Sequence, residues 1–418
     1  MLTGTNLLYT KQYNLRIVHE VIRLHGPISR AEIARRTELT GQTISNLAKE
    51  LISLGLVSEG ERRQEGRGAP STALAINPGG AYSIGLDFNR DHLTGVLVDL
   101  AGSVCQREHV ELDLPTPADT LDLMVAMVDR LIERESLPRD RVWGVGIGIP
   151  GPMYLNDAGD GYVVNPKSFP GWHKVPLASW LHERLRMPVF LENNATAAAI
   201  GERWYGAGQH ISTFFYFFFG SGLGGGIITD GRPYEGFTGN AGEIGYLPAF
   251  LDGEHALTGD PPHVGLHFNL PLLYAMLERE GAEARRPEDL GELLAAGHPA
   301  LLGWMDTAAS YLTGLALAVE YLIDPEAVFF GGRLPDSVLK GLMDRVAAQL
   351  PARRIAEKVA TPRLLLATAG VDAAALGVAT LPIYSFFAPA PQVLLKQRTQ
   401  REMRSSAHGM QVRRAVGG

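Results

Sequence analysis

The side chains best suited to meet a ligand cluster first near the start of the chain. Gln42, Thr43, Ser45, Asn46 and Lys49 share the polar stripe of a helical segment whose Ile44, Leu47, Leu51 and Ile52 face the other way. Amides and hydroxyls of this kind can hydrogen-bond base edges, and an ammonium can meet a phosphate. Arg62, Arg63 and Arg67 follow in a basic, glycine-containing loop over residues 61–68. A second set lies far downstream: Glu192-Asn193-Asn194, the run Gly220-Ser221-Gly222-Leu223-Gly224-Gly225-Gly226, and Gly239-Asn240-Ala241-Gly242-Glu243-Ile244-Gly245. Glycines let backbone approach a ligand closely, and fixed amides and carboxylates can hold hydroxyls. His255, His263 and His267 come next, but three histidines without a thiolate read as surface or loop residues rather than a metal site.

The elements that must position the first set are legible in the pattern. Leu15, Val18, Val21, Ile22 and Leu24 recur at helical spacing until Gly26-Pro27 stops the run. Ser29 precedes Glu32 by three residues, the spacing of a capping box, so a short helix should follow and end near Arg36. Thr40 can cap a third helix. Leu54-Gly55-Leu56-Val57 then closes that helix and opens a strand, which returns through Thr72-Ala73-Leu74-Ala75-Ile76 as a β-wing. Three short helices, a polar third helix and a basic wing spell a winged helix-turn-helix that reads DNA, with contacts expected from Ser29, Arg30, Thr40, Gln42, Thr43, Ser45, Asn46, Lys49, Arg62, Arg63 and Arg67. A protein-contact module with a solvated charged hairpin is the alternative. Charge favours the first reading: residues 1–70 hold ten Lys/Arg against seven Asp/Glu in a chain of net charge −7.

From Ala81 the pattern alternates. Tyr82 to Asp87 and Leu93 to Asp99 read as paired strands, Thr116 can cap a helix opened by Pro117 and running to about Ser136, and Val142 to Pro150 reads as a buried strand entering a loop. A second succession begins at Thr213, with the glycine run continuing as a strand Ile227-Ile228-Thr229 and Asp230-Gly231 as a hairpin turn. Two strand-rich lobes, each followed by helices, imply an α/β fold with a cleft between duplicated halves. With 418 residues and 45% hydrophobic content a large core is available, and no apolar run is long enough to span a membrane. Met1 to Thr10 lacks the marks of a signal peptide, so a cytoplasmic location is expected. Cys105 is the only cysteine, which excludes an internal disulfide. Lys396 to Gly418 carries six Lys/Arg and one Glu without apolar periodicity, and is expected to be a disordered basic tail.

In the order and spacing of Gly146-Ile147-Gly148-Ile149-Pro150-Gly151-Pro152, Leu191-Glu192-Asn193-Asn194-Ala195, Gly220 to Gly226, Gly239 to Gly245 and Phe329-Phe330-Gly331-Gly332, the chain resembles the ROK family of bacterial sugar kinases and transcriptional repressors. The resemblance runs from about Asn14 to Leu381, and the N-terminal module places the chain with the repressors. It implies a winged helix-turn-helix over 1–78, a two-lobed actin-like, ribonuclease H-like sugar-kinase body over 79–386 that binds ligand and dimerises, and a tail over 387–418. By the same resemblance Asn193, Asn194 and Glu243 hold sugar hydroxyls, Tyr246 stands where the family has a histidine, and Asn165 lies on a loop that flanks the pocket.

Three departures from the family pattern bear on activity. ROK kinases carry Glu-Asn-Asp where this chain has Glu192-Asn193-Asn194, and an amide cannot take a proton from a sugar hydroxyl as the aspartate does. They carry Asp-x-Gly-Gly-Thr where this chain has Asp87-Phe88-Asn89-Arg90-Asp91, whose bulky and acidic side chains are expected to crowd and repel phosphate. They also hold a structural zinc through a histidine and three cysteines; with Tyr246 in place and no later cysteine, no zinc is expected, although His255 could replace a lost sugar contact. The reading is therefore a sugar-responsive repressor with no catalytic residue and no bound ATP. Its expected partners are operator DNA with an inverted repeat, a small sugar or sugar phosphate, and a second copy as homodimer, with a tetramer open. An active ATP-dependent sugar kinase with a regulatory head is the alternative.

Overall fold

A computed structural model describes residues 7–63, 71–156, 161–165, 169, 171–248 and 263–387. The head begins with α1 (Leu7–His25), which starts a full two turns before the apolar run identified from Leu15. A two-residue strand β1 (Ile28–Ser29) leads into α2 (Arg30–Thr37), where Ser29 Oγ accepts from the Glu32 N–H at 3.2 Å. Only half of the expected capping box forms as a ring of contacts, because the Glu32 carboxylate turns to Arg35 and Arg36 instead. Thr40 caps α3 (Gly41–Ser53) by accepting from the Thr43 N–H at 3.2 Å, and Ile44, Leu47, Ala48 and Leu51 are buried beneath it. The wing is an antiparallel pair, β2 (Val57–Arg63) and β3 (Ser71–Ile76), with Arg62 opposite Thr72 and Arg63 opposite Ser71. β1 adds to the far edge of β3, a third strand too short to leave a periodic signal.

The body contains two sheets of the same topology. In the first lobe β4 (Tyr82–Phe88), β5 (His92–Asp99) and β6 (Val104–Glu111) form an antiparallel meander, α4 (Pro117–Arg134) follows, and β7 (Val142–Ile149) lies parallel to β4. The small hairpin β8 (Met153–Leu155) and β9 (Tyr162–Val164), then α5 (Leu177–Leu185), lead to β10 (Val189–Asn193), parallel to β7. Next, α6 (Asn194–Tyr205) carries the chain to the second lobe. There β11 (Phe214–Phe219), β12 (Leu223–Thr229) and β13 (Arg232–Pro233) form the second meander. Helices α7 (Leu270–Arg279), α8 (Pro287–Ala295) and α9 (Pro299–Ile323) precede β14 (Ala327–Gly332), parallel to β11; α10 (Asp336–Gln349) precedes β15 (Arg363–Leu366), parallel to β14. The strand orders β10-β7-β4-β5-β6 and β15-β14-β11-β12-β13 correspond one to one, which is the duplicated α/β architecture expected.

Two details differ from the sequence reading. β6 was not foreseen: it is a half-exposed edge strand of mostly polar residues, so it lacks an apolar face to signal it. Leu223 to Gly226 belong to strand β12 rather than to a glycine loop, which shrinks the turn to Gly220-Ser221-Gly222. The glycines in that strand answer packing, since a Cβ at Gly226 would lie 2.6 Å from the Ala195 carbonyl oxygen of α6. The hairpin turn is as read, with Asp230 and Gly231 both at positive φ before β13.

The last described helix, α11 (Ala373–Phe387), is the keystone of the body. A Cβ at Gly85 or Gly146 would come within 1.9 or 2.0 Å of α11 carbonyls, and one at Gly377 within 1.8 Å of the Ala197 oxygen of α6. Glycine is needed at these positions so that helix, sheet and helix can approach backbone to backbone. The end of α11 then leaves the body core: Ile383 and Phe386 join the apolar cluster of the head, with Phe386 edge-on to Trp143 at 5.0 Å. The tail expected from residue 387 lies, beyond Phe387, outside the described residues, as do Arg67 and His255. No helix among the described residues is long and apolar enough to cross a membrane.

Candidate functional site

On the head, α3 presents Gln42, Asn46 and Lys49 to solvent, with Thr43 and Ser45 half-buried at the sides of the stripe. The Gln42 Nε2 donates to Asn46 Oδ1 at 3.1 Å, so the two amides are held as one polar unit one helical turn apart. Lys49 has no ion-pair partner among the described residues. Two expected DNA contacts are instead committed inside the head: the Ser29 hydroxyl to its cap, and Arg30 to an ion pair with Glu59 on β2. Both residues sit at a helix start that must be braced against the wing, which sequence spacing alone did not reveal. The Thr40 hydroxyl is shared between its capping bond and the Thr43 side chain at 2.9 Å. Arg62 and Arg63 are the last two residues of β2, and nothing beyond them up to Ser71 lies among the described residues.

In the body, a cavity of about 290 Å³ opens between the lobes. One end is built by the junction of β10 and α6. Asn193 is the N-cap: its Oδ1 accepts from the Ala195 N–H at 2.8 Å while its Nδ2 donates to Glu243 Oε1 at 3.1 Å. Capping therefore falls to Asn193. Asn194, the first residue of α6, lines the cavity with no side-chain partner among the described residues. Glu243 lines the same end, and burial pushes its carboxyl up to about 7. Glu192, one residue before Asn193, is buried behind them; burial first and the nearby Glu235 second push it up to about 8. Tyr246 and His263 complete this wall with ring centroids 5.2 Å apart.

The structure corrects two of the expected assignments here. Asn165 does not line the cavity; its backbone N–H bonds to the Pro152 carbonyl at 3.3 Å, on the chain segment behind the wall. His263, read as a surface or loop residue, does line it, brought there by its isolated bridge to Pro248. His267 packs on Trp304, with ring centroids 5.7 Å apart. Among the described residues no three His, Cys, Asp or Glu side chains converge on a common metal position.

The opposite end of the cavity is lined by Asn89, Arg90, Gly220, Ser221, Gly222 and Asn269. The crowding expected from residues 87–91 is not what the fold produces. Phe88 points into the first-lobe core, stacked against Trp172 at 5.1 Å, because β4 alternates its faces and residue 88 shares the face of Ile84 and Leu86, which belong to that core. Asp91 is engaged by His92 Nδ1 at 2.7 Å and by Arg333 of the second lobe at 3.1 Å. His92 in turn meets Asp87 at 3.2 Å, and Ser221 donates to Asn89 Oδ1 at 3.1 Å, so a polar clasp ties the two lobes together.

Burial opposes charge on His92, yet its hydrogen bonds to Asp87 and Asp91 outweigh that and the repulsion from Arg333, holding the ring up at about 9. His109, stacked 5.8 Å away, is the other titratable ring beside it. Because the folded value lies above the ordinary 6.5, the charged ring stabilises the fold fully below pH 6.5. That stabilisation, at most about 3 kcal/mol, declines as pH rises and is gone above about 9. The thermal midpoint should fall between pH 6 and 9.5, and the fall should shrink in His92→Gln; an unchanged pH profile in that variant contradicts the assignment.

Cavity and head are connected by packing. α6 begins at Asn194 in the cavity wall and, about 18 Å further on, ends at Trp204 and Tyr205. The Arg23 guanidinium of α1 lies over the Trp204 ring at 3.9 Å, held there by Glu20 at 2.7 and 2.8 Å. Trp204 also meets Tyr384 of α11 edge-on, and Arg16 of α1 donates to the Ser385 carbonyl. At the same end of α6 the fully buried Glu202 accepts from the N–H groups of Ala207, Thr368 and Ala369, anchoring the helix to the second lobe.

Comparison with known proteins follows the same division. The signature of the ROK family matches residues 83–384, and that of the MarR family residues 12–68. The chain belongs to the ROK family. The xylose repressor of Bacillus spizizenii is 27% identical over 382 residues, spanning 90% of this chain and 97% of its own. A ROK family transcriptional regulator, described as a homologue of the Escherichia coli MLC protein, superposes with a TM-score of 0.74 at 21% identity over 92% of this chain and 99% of that one. A ROK glucokinase from Streptomyces griseus, solved with glucose and AMPPNP, superposes with a TM-score of 0.58 at 26% identity over 72% of this chain and 99% of its own. The kinase thus matches an extent close to that of the body, whereas the regulator matches head and body together, and the actin-like ROK body with a winged helix-turn-helix before it is the fold of this chain.

Proposed function

We propose that this ROK protein is a sugar-responsive DNA-binding transcriptional regulator that represses genes of carbohydrate uptake or catabolism. The observation that carries the reading is α6: its first residue, Asn194, lines the cavity, and its last turn supports Arg23 of the DNA-reading head. A sugar whose hydroxyls meet Asn194 and Glu243, beside Tyr246 and His263, would bias the position of α6 and with it the seat of the head. Amide, carboxylate and phenol together offer the mixed donors and acceptors that hydroxyls require. Paired as a homodimer, two α3 helices would enter successive major grooves of an inverted repeat in the cytoplasm. The xylose repressors among its relatives agree in kind with this role.

The same site argues against phosphoryl transfer. The side chain at the start of α6 is an amide, which cannot act as a general base, and a term of roughly 10²–10⁴-fold would be lost. ATP consumption with any of a panel of aldoses should stay at background in the native chain. Turnover by the native chain would favour the kinase reading.

The coupling role of α6 has its own test. Trp204→Ala should leave sugar affinity within about twofold while reducing the effect of sugar on DNA affinity, because a coupling free energy needs a contact that differs between states. Full retention of the sugar effect in this variant would show that the signal travels elsewhere.

A further inference from the structure

The two ends of the cavity differ in kind, and the difference narrows the ligand. The Asn194 and Glu243 end combines an amide with a carboxylate that accepts, which suits neutral hydroxyls. The other end is rich in donors. Arg90 lines it and has no carboxylate partner among the described residues. Asn89 beside it gives its Oδ1 to the Arg90 N–H at 2.8 Å and to the Ser221 hydroxyl at 3.1 Å, which leaves its amide N–H groups without an acceptor among the described residues. Asp91, the nearest acid in sequence, is already matched by His92 and Arg333, so it does not cancel Arg90. The N-terminus of α7, capped by Asn269, faces the same space and adds positive potential. A guanidinium in a cleft wall with no protein anion is a site looking for a planar or tetrahedral oxyanion.

We propose that the ligand of this cavity is an anionic sugar, an aldose carrying a phosphate or carboxylate on its terminal carbon, with the oxyanion at Arg90 and Asn89 and the ring hydroxyls at Asn194 and Glu243. The inference rests on the sugar-binding reading above and adds the ligand class to it. Arg90 is then the residue that sets specificity, and the turn over residues 87–91 is not a ruined phosphate cradle but a rebuilt one, with a side-chain cation in place of glycine N–H groups.

The test is calorimetric titration of the full chain with glucose, mannose, N-acetylglucosamine and xylose, each beside its terminal phosphate, with glucuronate to separate carboxylate from phosphate. In at least one series the anionic member should bind ten times or more tighter than its neutral parent. Arg90→Gln should erase that preference, and Arg90→Lys should retain part of it. Glucuronate binding as tightly as the phosphate would assign the site to carboxylates, and the reverse to phosphates; either supports the proposal. Neutral sugars that bind as tightly as their phosphates, or a preference that survives Arg90→Gln, overturn it. If neutral sugars alone bind and shift DNA affinity, only the anionic class falls; if no sugar of either kind binds, the sugar-responsive reading falls with it.

Discussion

Gly377→Ala should cost the fold about 3 kcal/mol or more and loosen the pairing of α6 with α11. The added methyl would sit 1.8 Å from the Ala197 carbonyl oxygen, and backbone rather than a movable side chain stands in its way. Overpacking of a tight core typically costs about 1–3 kcal/mol, and this contact belongs at or beyond the upper end. Its neighbours cannot relax easily. α11 is also pressed against β4 at Gly85 and β7 at Gly146, and α6 against Ala373 at Gly201, so moving one helix drives it into another backbone. Denaturant unfolding should show a lower midpoint for the variant. A midpoint within experimental error of the native chain would mean that the helices are not held as closely as described.

The second large effect concerns the head. Gln42→Ala and Asn46→Ala should each weaken operator binding by about 1–3 kcal/mol and relax discrimination at the bases they read, because an amide pair in a major groove carries sequence information. Lys49→Ala should behave differently. An exposed ammonium meeting phosphate contributes to every sequence alike, so its loss should weaken binding uniformly and reduce the salt slope by about one. Quantitative binding to operator and scrambled DNA across a salt series separates the two outcomes. Equal losses on both DNAs for Gln42→Ala and Asn46→Ala would remove α3 from base readout.

Much of this was legible in the residues. The helices of the head announce themselves through Gly26-Pro27, Ser29 and Thr40, and both caps form as spaced. The duplicated lobes were readable because strand 214–219 is apolar on both faces, the mark of a sheet buried on both sides, and 82–87 alternates Ile84 and Leu86 with small or polar residues. What stayed hidden depends on contacts distant in sequence. Nothing in the string places His263 in the cavity wall, or sends Phe88 into the core while Arg90 stays at the cleft. The pairing of Asp91 with Arg333 spans 242 residues, and without it the acid looked like a repulsive charge. Arg30 looked free to meet DNA until the wing strand supplied Glu59. The glycines of β12 looked like a ligand loop, although their small size serves the close approach of α6.

One clasp of physics joins these parts. α6 and α11 are packed too closely to slide independently, one starts at the cavity and both end under the head, and the head holds the polar helix that would face DNA. A ligand that prefers one placement of α6 must then change the free energy of DNA binding, and by linkage DNA must change the affinity for ligand equally.

The most direct test of the account is operator affinity of the full chain at fixed salt, measured without ligand and then with each sugar and sugar phosphate of the panel. The account predicts that at least one ligand shifts the affinity tenfold or more, a coupling of about 1.4 kcal/mol. DNA binding that is unchanged by a sugar shown to occupy the cavity would contradict it.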